Sequence, residues 1–391
     1  MCAGSWLTPL NATRALVRLY PLGPALSYLQ GMVTNDMRPL ADSQATPVYA
    51  HMLTPKGKFL HDCIFYPEPG EGGGLLMEVD EAGLDHALDW LARYRLRRAV
   101  SLEDARAAWT PWAWHGAAAP DSKPPPGWWR DPRLPGLGLR AVVPPSSSPP
   151  TPTASLDSSS SNSSADCTSS NSWRAADSSS HSSSDAAGSS SSSAGGSSSS
   201  GSSDGGRGGS TDHWPGTGPG SSGSIGSGPQ LDLDACLYRS WRYRLGVAEG
   251  QTEIPFGQAS PLEYNTDVLC GVSYTKGCYI GQERNSFTHF RGIIRRRCMP
   301  FRVMELPATG SSPSPVSVSV EQEVVRAGSQ EVVGTVRGYQ AGWGLMHVKL
   351  GPALAAAGGQ ERLHLKGAEH TQVQPIRPDW WPKEWGSEDG L

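Results

Sequence analysis

At 391 residues the chain is long enough for two or three domains with a core that needs no covalent staples. Its formal charge of −4, from 33 Lys and Arg against 37 Asp and Glu, leaves no global footprint for nucleic acid or an anionic membrane. No apolar run approaches the length needed to span a bilayer, so a soluble protein without a membrane or nucleic-acid partner is expected.

In chain order, the opening stretch to Gly31 has Arg14 and Arg18 and no acid before Asp36, an echo of an organellar transit peptide. Its apolar positions, Leu16, Leu19, Ala25, Leu26 and Leu29, read as the first strand and helix of a domain, which leaves any import signal very short or missing from this chain. A strand over RALVRLY, a Pro/Gly turn and a helix from about Pro24 to Gly31 are expected. Next, TPVYAHMLTPKGKFLHDCIFYPE reads as a β-hairpin around a Gly-containing turn. A further strand then leads into an amphipathic helix with Leu84, Leu88 and Leu91 on one face and Arg97 and Arg98 near its end. Together these predict an α+β sandwich.

From 146 to 229 the composition is mostly Ser, Gly, Asp and Pro, which cannot bury enough apolar surface to offset backbone entropy, so a disordered insertion is expected there. Loop-closure entropy grows slowly with length, so a fold can close around it if its ends lie close together. After it, DACLYRSWRYRLGVAEG predicts a helix ending at glycine, and CGVSYTKGCYIGQER a strand that turns at Gly277. Beyond Pro300, short β-rich runs separated by Gly and Pro predict a small antiparallel barrel, and the tail PDWWPKEWGSEDG is expected to fray or pack loosely. The expected domains are an α+β domain over 1–145 and 230–299, interrupted by the insertion 146–229, then a barrel over 300–378 and a tail over 379–391. A monomer is expected.

Seven scattered cysteines, odd in number and never in C-x-x-C spacing, argue against a disulfide framework and a zinc site, and for a reducing compartment. Cys278 stands apart. In KGCYIGQE it lies between Gly277 and Gly281, two positions after Lys276 and five before Glu283. A strand ending at Gly277 and a helix starting near Gly281 would set Cys278 at a helix N-terminus, where unpaired N–H groups and Lys276 favour a thiolate. The two glycines would let a ligand or another backbone approach the sulfur, or supply positive φ. Glu283 is expected to cap the turn or to pair with Lys276 or an arginine. A cysteine packed under a tight turn beside a solvated lysine fits the same residues.

The stretch KGCYIGQE, with Tyr279 and the Gln282-Glu283 pair, follows EIPFGQASPLEYNTDVLCGVSYT and precedes RGIIRRR. It closely resembles the signature of the YgfZ-type tetrahydrofolate-dependent iron–sulfur cluster assembly factors, a branch of the fold of the glycine cleavage aminomethyltransferase, or T-protein. YLQGMVTND, LTPKGKFLHD, DPRLPGLGLR and VVGTVRGYQAGWGLMHVKL resemble that family's other landmarks in the same order. The resemblance implies two α+β subdomains and a C-terminal barrel around a central channel, tetrahydrofolate or another reduced folate as cofactor, and support for maturation of [4Fe-4S] enzymes such as aconitase, lipoate synthase and radical S-adenosylmethionine enzymes. It implies A-type carrier proteins and apo-clients as partners, and the mitochondrial matrix or a plastid as location. Cys278 takes the place of the motif cysteine and Lys276 that of its lysine, while Asn35, Asp36 and Asp62 become candidates for facing the folate cavity. TNDM is also ordinary turn chemistry. A single cysteine cannot hold a cluster without partner ligands, so no stably bound cluster is expected on the isolated chain.

Two departures bear on the reading. Where related sequences continue the motif with Ala-Arg-Thr-His-His, this chain has Ser286, Phe287, Thr288, His289 and Phe290. Where the T-protein has adjacent aspartates, this chain has His61 and Asp62, which weighs against the alternative of a folate-dependent aminomethyltransferase or demethylase, whose cationic intermediate needs carboxylate charge beside it. His51 and His61 lack a third ligand of suitable spacing for a metal. Arg291, Arg295, Arg296 and Arg297 are candidates for a folate glutamate tail or an acidic partner, and equally for a solvated strand end.

Overall fold

Strand alternation in the first third of the chain sets up a two-faced sheet. The chain runs through β1 (Ser5–Pro9), β2 (Arg14–Tyr20), α1 (Leu22–Leu29), β3 (Val48–Leu53), β4 (Phe59–Pro67), β5 (Leu75–Asp80), α2 (Leu84–Arg95) and β6 (Ser101–Asp104). Five of these strands form an antiparallel sheet in the order β3-β4-β5-β2-β6. Ala15, Val17 and Leu19 of β2, Cys63 and Phe65 of β4, and Leu75, Met77 and Val79 of β5 share one apolar core with α1 and α2. The intervening Leu16, Ile64, Tyr66 and Leu76 point to the opposite face, as the period of two requires. In α2 the buried residues are Leu84, Ala87 and Leu91, while Leu88 sits at the margin of the core. Helix α1 starts two residues earlier than expected, because Pro24 falls in the first turn, where an N–H would have no intrahelical acceptor.

The coordinates are a computed structural model that describes residues 4–145 except 43, 71–72 and 118–122, residues 147 and 149, and residues 230–385 except 233–234 and 306–316. The expected disordered insertion therefore lies outside the described residues apart from 147 and 149. On its near side come β7 (Thr110–Gly116), β8 (Trp129–Arg130) and β9 (Leu139–Val143), and on its far side β10 (Gln230–Leu231). These join β1 in a second sheet, ordered β10-β1-β7-β9-β8, with β10 parallel to β1. The fold thus closes around the insertion, as the loop-closure argument expects. Leu137 and Val142 of this half meet the inner face of the first sheet, together with Val247 and Leu269.

Helices α3 (Cys236–Leu245), α4 (Gly250–Glu253) and α5 (Gln282–Arg291) follow. The strand expected over the start of CGVSYTKGCYIGQER does not form; residues 271–281 are turns and irregular chain. The backbone here finds partners in a neighbouring loop instead of a sheet edge: Ser273 N donates to Thr34 O at 3.0 Å and Ile280 N to Gly31 O at 3.1 Å.

A closed antiparallel barrel completes the fold, as expected: β11 (Arg296–Glu305), β12 (Glu323–Arg326), β13 (Val332–Gln340), β14 (Trp343–Lys349), β15 (Leu363–Leu365) and β16 (Ala368–Pro375), in the order β11-β14-β13-β12-β15-β16. Met299, Phe301, Val324, Val336, Met346, Val348, Leu365 and Val373 fill its core. A helix outside the strand reading, α6 (Leu350–Ala357), crosses between β14 and β15, built from alanine and leucine, both good helix formers. Among the glycines of GTVRG and GWGLM, a Cβ at Gly338 would overlap the Tyr243 hydroxyl and one at Gly344 the Phe301 ring, while Gly342, at φ 82°, makes the turn between β13 and β14. The tail packs more firmly than expected, since Trp381 is buried, Trp380 Nε1 donates to Leu245 O at 2.8 Å, and the Arg297 guanidinium lies 3.2 Å from the centroid of Trp385.

Candidate functional site

Three glycine and threonine contacts hold the motif loop in place. Gly281, the N-cap of α5, has φ 82°, and a Cβ there would sit 2.5 Å from Thr54 O and 3.0 Å from the Cα of Gly57. Only glycine combines that left-handed backbone with so close an approach. Gly57, at φ 70°, faces back: a Cβ on it would lie 2.9 Å from the Cβ of Arg284. The hairpin turn TPKGK and the start of α5 are therefore pressed together through two residues without side chains. Thr34 Oγ1 completes the clamp by donating to Gly271 O at 2.6 Å.

Lys276 extends that clamp. It is buried, and its ammonium donates to Val33 O at 2.8 Å and Asn35 O at 2.7 Å, 5.2 Å from the centroid of the Tyr279 ring. Burial pushes its pKa down to about 8, against the attraction of Asp36. Asn35 has no free polar group: its amide donates to Tyr49 O and Cys270 O, and its carbonyl accepts from Asp36 N. Asp36 is bonded by Arg38 and Gln30, and Arg38 holds its carboxyl far below the ordinary range. Tyr279 is buried, with its hydroxyl accepting from Asn285 Nδ2 at 3.3 Å. Gln282 N donates to Tyr279 O.

Cys278 is a free, exposed thiol on top of this clamp. The expected placement at a helix N-terminus is not what forms. Gly281 is the cap and Gln282 the first helical residue, which leaves Cys278 outside the helix. Lys276 is directed into the carbonyls beneath the loop. Glu283 is exposed in the first turn of α5, where a carboxylate suits the helix dipole, and pairs with neither Lys276 nor an arginine among the described residues. Gly277 is exposed with no left-handed φ, and a Cβ on it would meet nothing within 4 Å. The reading of a cysteine packed under a turn is excluded by this exposure. Among the described residues Cys63 and Cys298 are buried thiols, both pushed up by burial, while Cys270 is disulfide-bonded.

Asp62 belongs to a different place. It is buried on the inner face of β4 and its carboxylate accepts from Arg14 Nη1 at 3.1 Å and from Gly250 N at 3.2 Å. Around it lies a charged layer that the sequence reading missed. Arg14 reaches Glu78 at 2.8 Å; Arg140 reaches Glu78, Asp131 and Glu249, each at 3.0 Å; Arg133 pairs with Asp131 at 2.7 Å and Glu249 at 2.6 Å; Arg242 pairs with Glu253 at 2.8 Å. The hydroxyl of Tyr238 donates to Glu249 at 2.9 Å. Burial would raise the Glu249 carboxyl, but Arg242, Arg133 and Arg140 hold it well below its ordinary value. The one signal in the sequence was an isolated charge within an apolar run, as in LLMEVD and GLGLRAVV.

This layer forms one wall of a cavity of about 500 Å³ lined by Arg14, Asp80, Tyr238, Arg242, Glu249 and, from the barrel, Tyr339. Arg242 Nε has no hydrogen-bond partner there and stands 3.7 Å from Glu249 Oε1. Asn35, Asp36, Asp62 and the motif 276–283 are not among the lining residues, so the structure separates the thiol from this cavity. His51 and His61 are structural: His51 Nε2 lies 2.8 Å from Tyr49 Oη and His61 Nε2 2.9 Å from His86 Nδ1, and burial lowers their pKa values to about 4 and about 3. No three potential metal ligands cluster among the described residues. His289 stacks on Tyr274 with ring centroids 3.7 Å apart, and Arg297 pairs with Asp267 at 3.1 Å.

Comparison with known proteins settles the family. A protein of Mus musculus named "Iron-sulfur cluster assembly factor IBA57, mitochondrial" is 30% identical over 392 residues, covering 94% of this chain and 84% of that protein. The Homo sapiens protein of the same name is 30% identical over 390 residues, covering 94% and 83%. The chain belongs to the IBA57 family of iron–sulfur cluster assembly factors. Residues 295–383 also match the family model "CAF17, C-terminal beta-barrel domain", which fits the closed barrel. The crystal structure of glycine cleavage system aminomethyltransferase T from Bartonella henselae superposes with a TM-score of 0.55 at 10% identity, over 96% of this chain and 85% of that one. This IBA57-family chain therefore has the aminomethyltransferase-like fold anticipated from its motifs. No helix among the described residues is long and apolar enough to cross a membrane.

Proposed function

We propose that this IBA57-family protein supports maturation of [4Fe-4S] enzymes, among them aconitase and lipoate synthase, through the exposed thiol of Cys278. The observation that carries the reading is the contrast between loop and thiol: the backbone around Cys278 is fixed by Lys276, Thr34 and Gly281, while the sulfur itself is left open to solvent. A rigidly held, accessible thiol suits transient contact with a cluster held by another protein, and a single thiol cannot retain a cluster alone. In this reading the partners are A-type carrier proteins and apo-clients and the place is the mitochondrial matrix; the names of the relatives give iron–sulfur cluster assembly and the mitochondrion.

Tetrahydrofolate dependence belongs to the separate cavity. Its volume of about 500 Å³ is within the range of small-molecule sites, and its lining mixes the charged Arg14, Arg242 and Glu249 with the rings of Tyr238 and Tyr339. Tyr238, Arg242, Glu249 and Tyr339 would hold it. A reduced folate supplies a one-carbon carrier and reducing equivalents. Asp62 lies behind Arg14, bonded by a guanidinium and a backbone N–H, which weighs against the aminomethyltransferase alternative with its need for a carboxylate at the reacting carbon.

The test is complementation of cells that lack their own factor with the wild-type chain, Cys278→Ser and Asp62→Asn, reading aconitase activity and protein lipoylation. Loss in Cys278→Ser alone is expected. Full rescue by Cys278→Ser would end the thiol reading, and turnover of an N-methyl or aminomethyl substrate with tetrahydrofolate, abolished in Asp62→Asn, would install the alternative. Protein purified without oxygen is expected to retain no stoichiometric iron and sulfide.

A further inference from the structure

Helix α5, directly after the motif, buries only Asn285. Three apolar side chains on it and just past it stand in solvent: Phe287 is 61% exposed, Phe290 66% and Ile293 54%. Single exposed apolar residues are ordinary, but two phenylalanines three positions apart share one side of a helix and make a patch. Phe290 is also held in position, edge-on to Tyr274 with centroids 5.6 Å apart and to His289 at 4.8 Å. Tyr274 belongs to the motif loop, so that loop lies against the last turn of α5 at one end and leads into its N-cap, Gly281, at the other, with Cys278 three residues before that cap.

Charge rims the patch. Arg284, Arg291 and Arg295 are exposed and Arg296 half-buried, and none of the four makes an ion pair with a described residue. Only Glu283 opposes them on the helix, so the rim is cationic in a chain whose formal charge is −4. Gly277 adds an independent sign. Gly281 and Gly57 are glycines because the fold needs them, whereas a side chain at Gly277 would meet nothing within 4 Å. At the position just before the exposed thiol the fold therefore leaves open space.

We propose that α5, the segment onward to Arg296 and the Gly277–Cys278 turn form one docking face for a protein whose own surface is an apolar patch ringed with carboxylates. The inference rests on the thiol reading above and adds where the cluster-bearing partner sits. Charge complementarity selects this occupant. A second copy meeting the same face across a two-fold axis would set arginine against arginine. An anionic membrane is disfavoured because a ten-residue helix with two exposed phenylalanines offers little apolar face to insert. The phenylalanines at the centre are also ill suited to a phosphate backbone, which takes a broad basic surface.

The experiment uses the full chain and a purified A-type carrier as probe, followed by titration calorimetry at several salt concentrations. Three variants are compared with wild type: Phe287→Asp/Phe290→Asp, Arg291→Glu/Arg295→Glu and Gly277→Leu, each first matched to wild type in thermal melting. The aspartate pair is expected to weaken binding by at least about tenfold. The charge-reversed pair should weaken it by about fivefold at low salt and flatten the salt dependence. Gly277→Leu should likewise reduce affinity by crowding the thiol. Unchanged affinity in all three would overturn the docking face while leaving the thiol reading to its own complementation test. No binding by wild type, where Cys278 is still required in cells, would also overturn the face and leave that reading standing. Binding of wild type but not the aspartate pair to phosphatidylserine vesicles in place of the carrier, or a concentration-dependent dimer that the aspartate pair abolishes, would overturn it in favour of those occupants.

Discussion

The buried charged layer and the motif loop hold most of the chemistry of this molecule, and they are built on opposite plans. In the layer, Arg14, Arg133, Arg140 and Arg242 meet Asp62, Glu78, Asp131, Glu249 and Glu253 away from water, and most of their polar atoms are bonded within the chain. In the loop the backbone is just as firmly bonded, but the Cys278 thiol and the Glu283 carboxylate are exposed, Gly277 faces open space, and Phe287 and Phe290 stand largely in solvent. The density of interactions thus marks where the fold is fixed. Around Cys278, by contrast, a bonded backbone carries side chains that stand free in solvent.

The layer offers the largest way to break that comparison. Glu249→Ala leaves Arg133, Arg140 and Arg242 short of a shared carboxylate, and removing one partner of a buried ion network costs about 3–5 kcal/mol. Urea unfolding should show this loss; a change below about 1 kcal/mol would mean that the layer tolerates vacancies.

The two motif glycines sharpen the contrast at the next scale. Gly281→Ala forces a side chain into Thr54 O at φ 82° and should destabilise by about 2–3 kcal/mol. Gly277→Ala should stay within about 0.5 kcal/mol of wild type. Equal effects at both positions would erase the distinction between a glycine required by the fold and one kept for access.

Lys276 predicts a pH signature. Folded, it gives up its proton near pH 8, whereas its ordinary value is 10.5, so between those values the unfolded chain binds more protons. Stability should therefore rise with pH across that window, with a slope approaching about 1.4 kcal/mol per pH unit. The excess slope should vanish in Lys276→Met. A slope unchanged by the substitution would place the titrating group elsewhere.

The smallest effect on the fold is expected at Cys278 itself. Cys278→Ser should melt within about 0.5 kcal/mol of wild type, even though it fails in complementation. A large loss of stability would show that the thiol is part of the packing.

Legibility followed the same divide. The alternation of RALVRLY and LLMEVD reported both faces of the first sheet, the spacing of leucines reported α2, and short runs between glycines reported the barrel. The charged layer was hidden because a lone Glu78 or Arg140 names its face but not its partners, which come from strands and helices far along the chain. The start of CGVSYTKGCYIGQER read as a strand turning at Gly277, yet Ser273 and Ile280 bond to Thr34 and Gly31 in a distant turn, a pairing that no local pattern encodes. Residue types alone left Cys278 open between a packed thiol and an accessible one, and its exposure decided between them.

The parallel pairing of β10 with β1 has a consequence for the serine-rich segment. Val143 ends β9 level with Thr110, while Gln230 starts β10 level with Trp6, three strand spacings away in the sheet. That gap is roughly 20 Å, which six or seven extended residues would bridge. Residues 144–229 far exceed this geometric minimum, so the tether can be rewritten or pruned without re-registering a single strand. Its length is a variable that the scaffold hands over to other forms of selection.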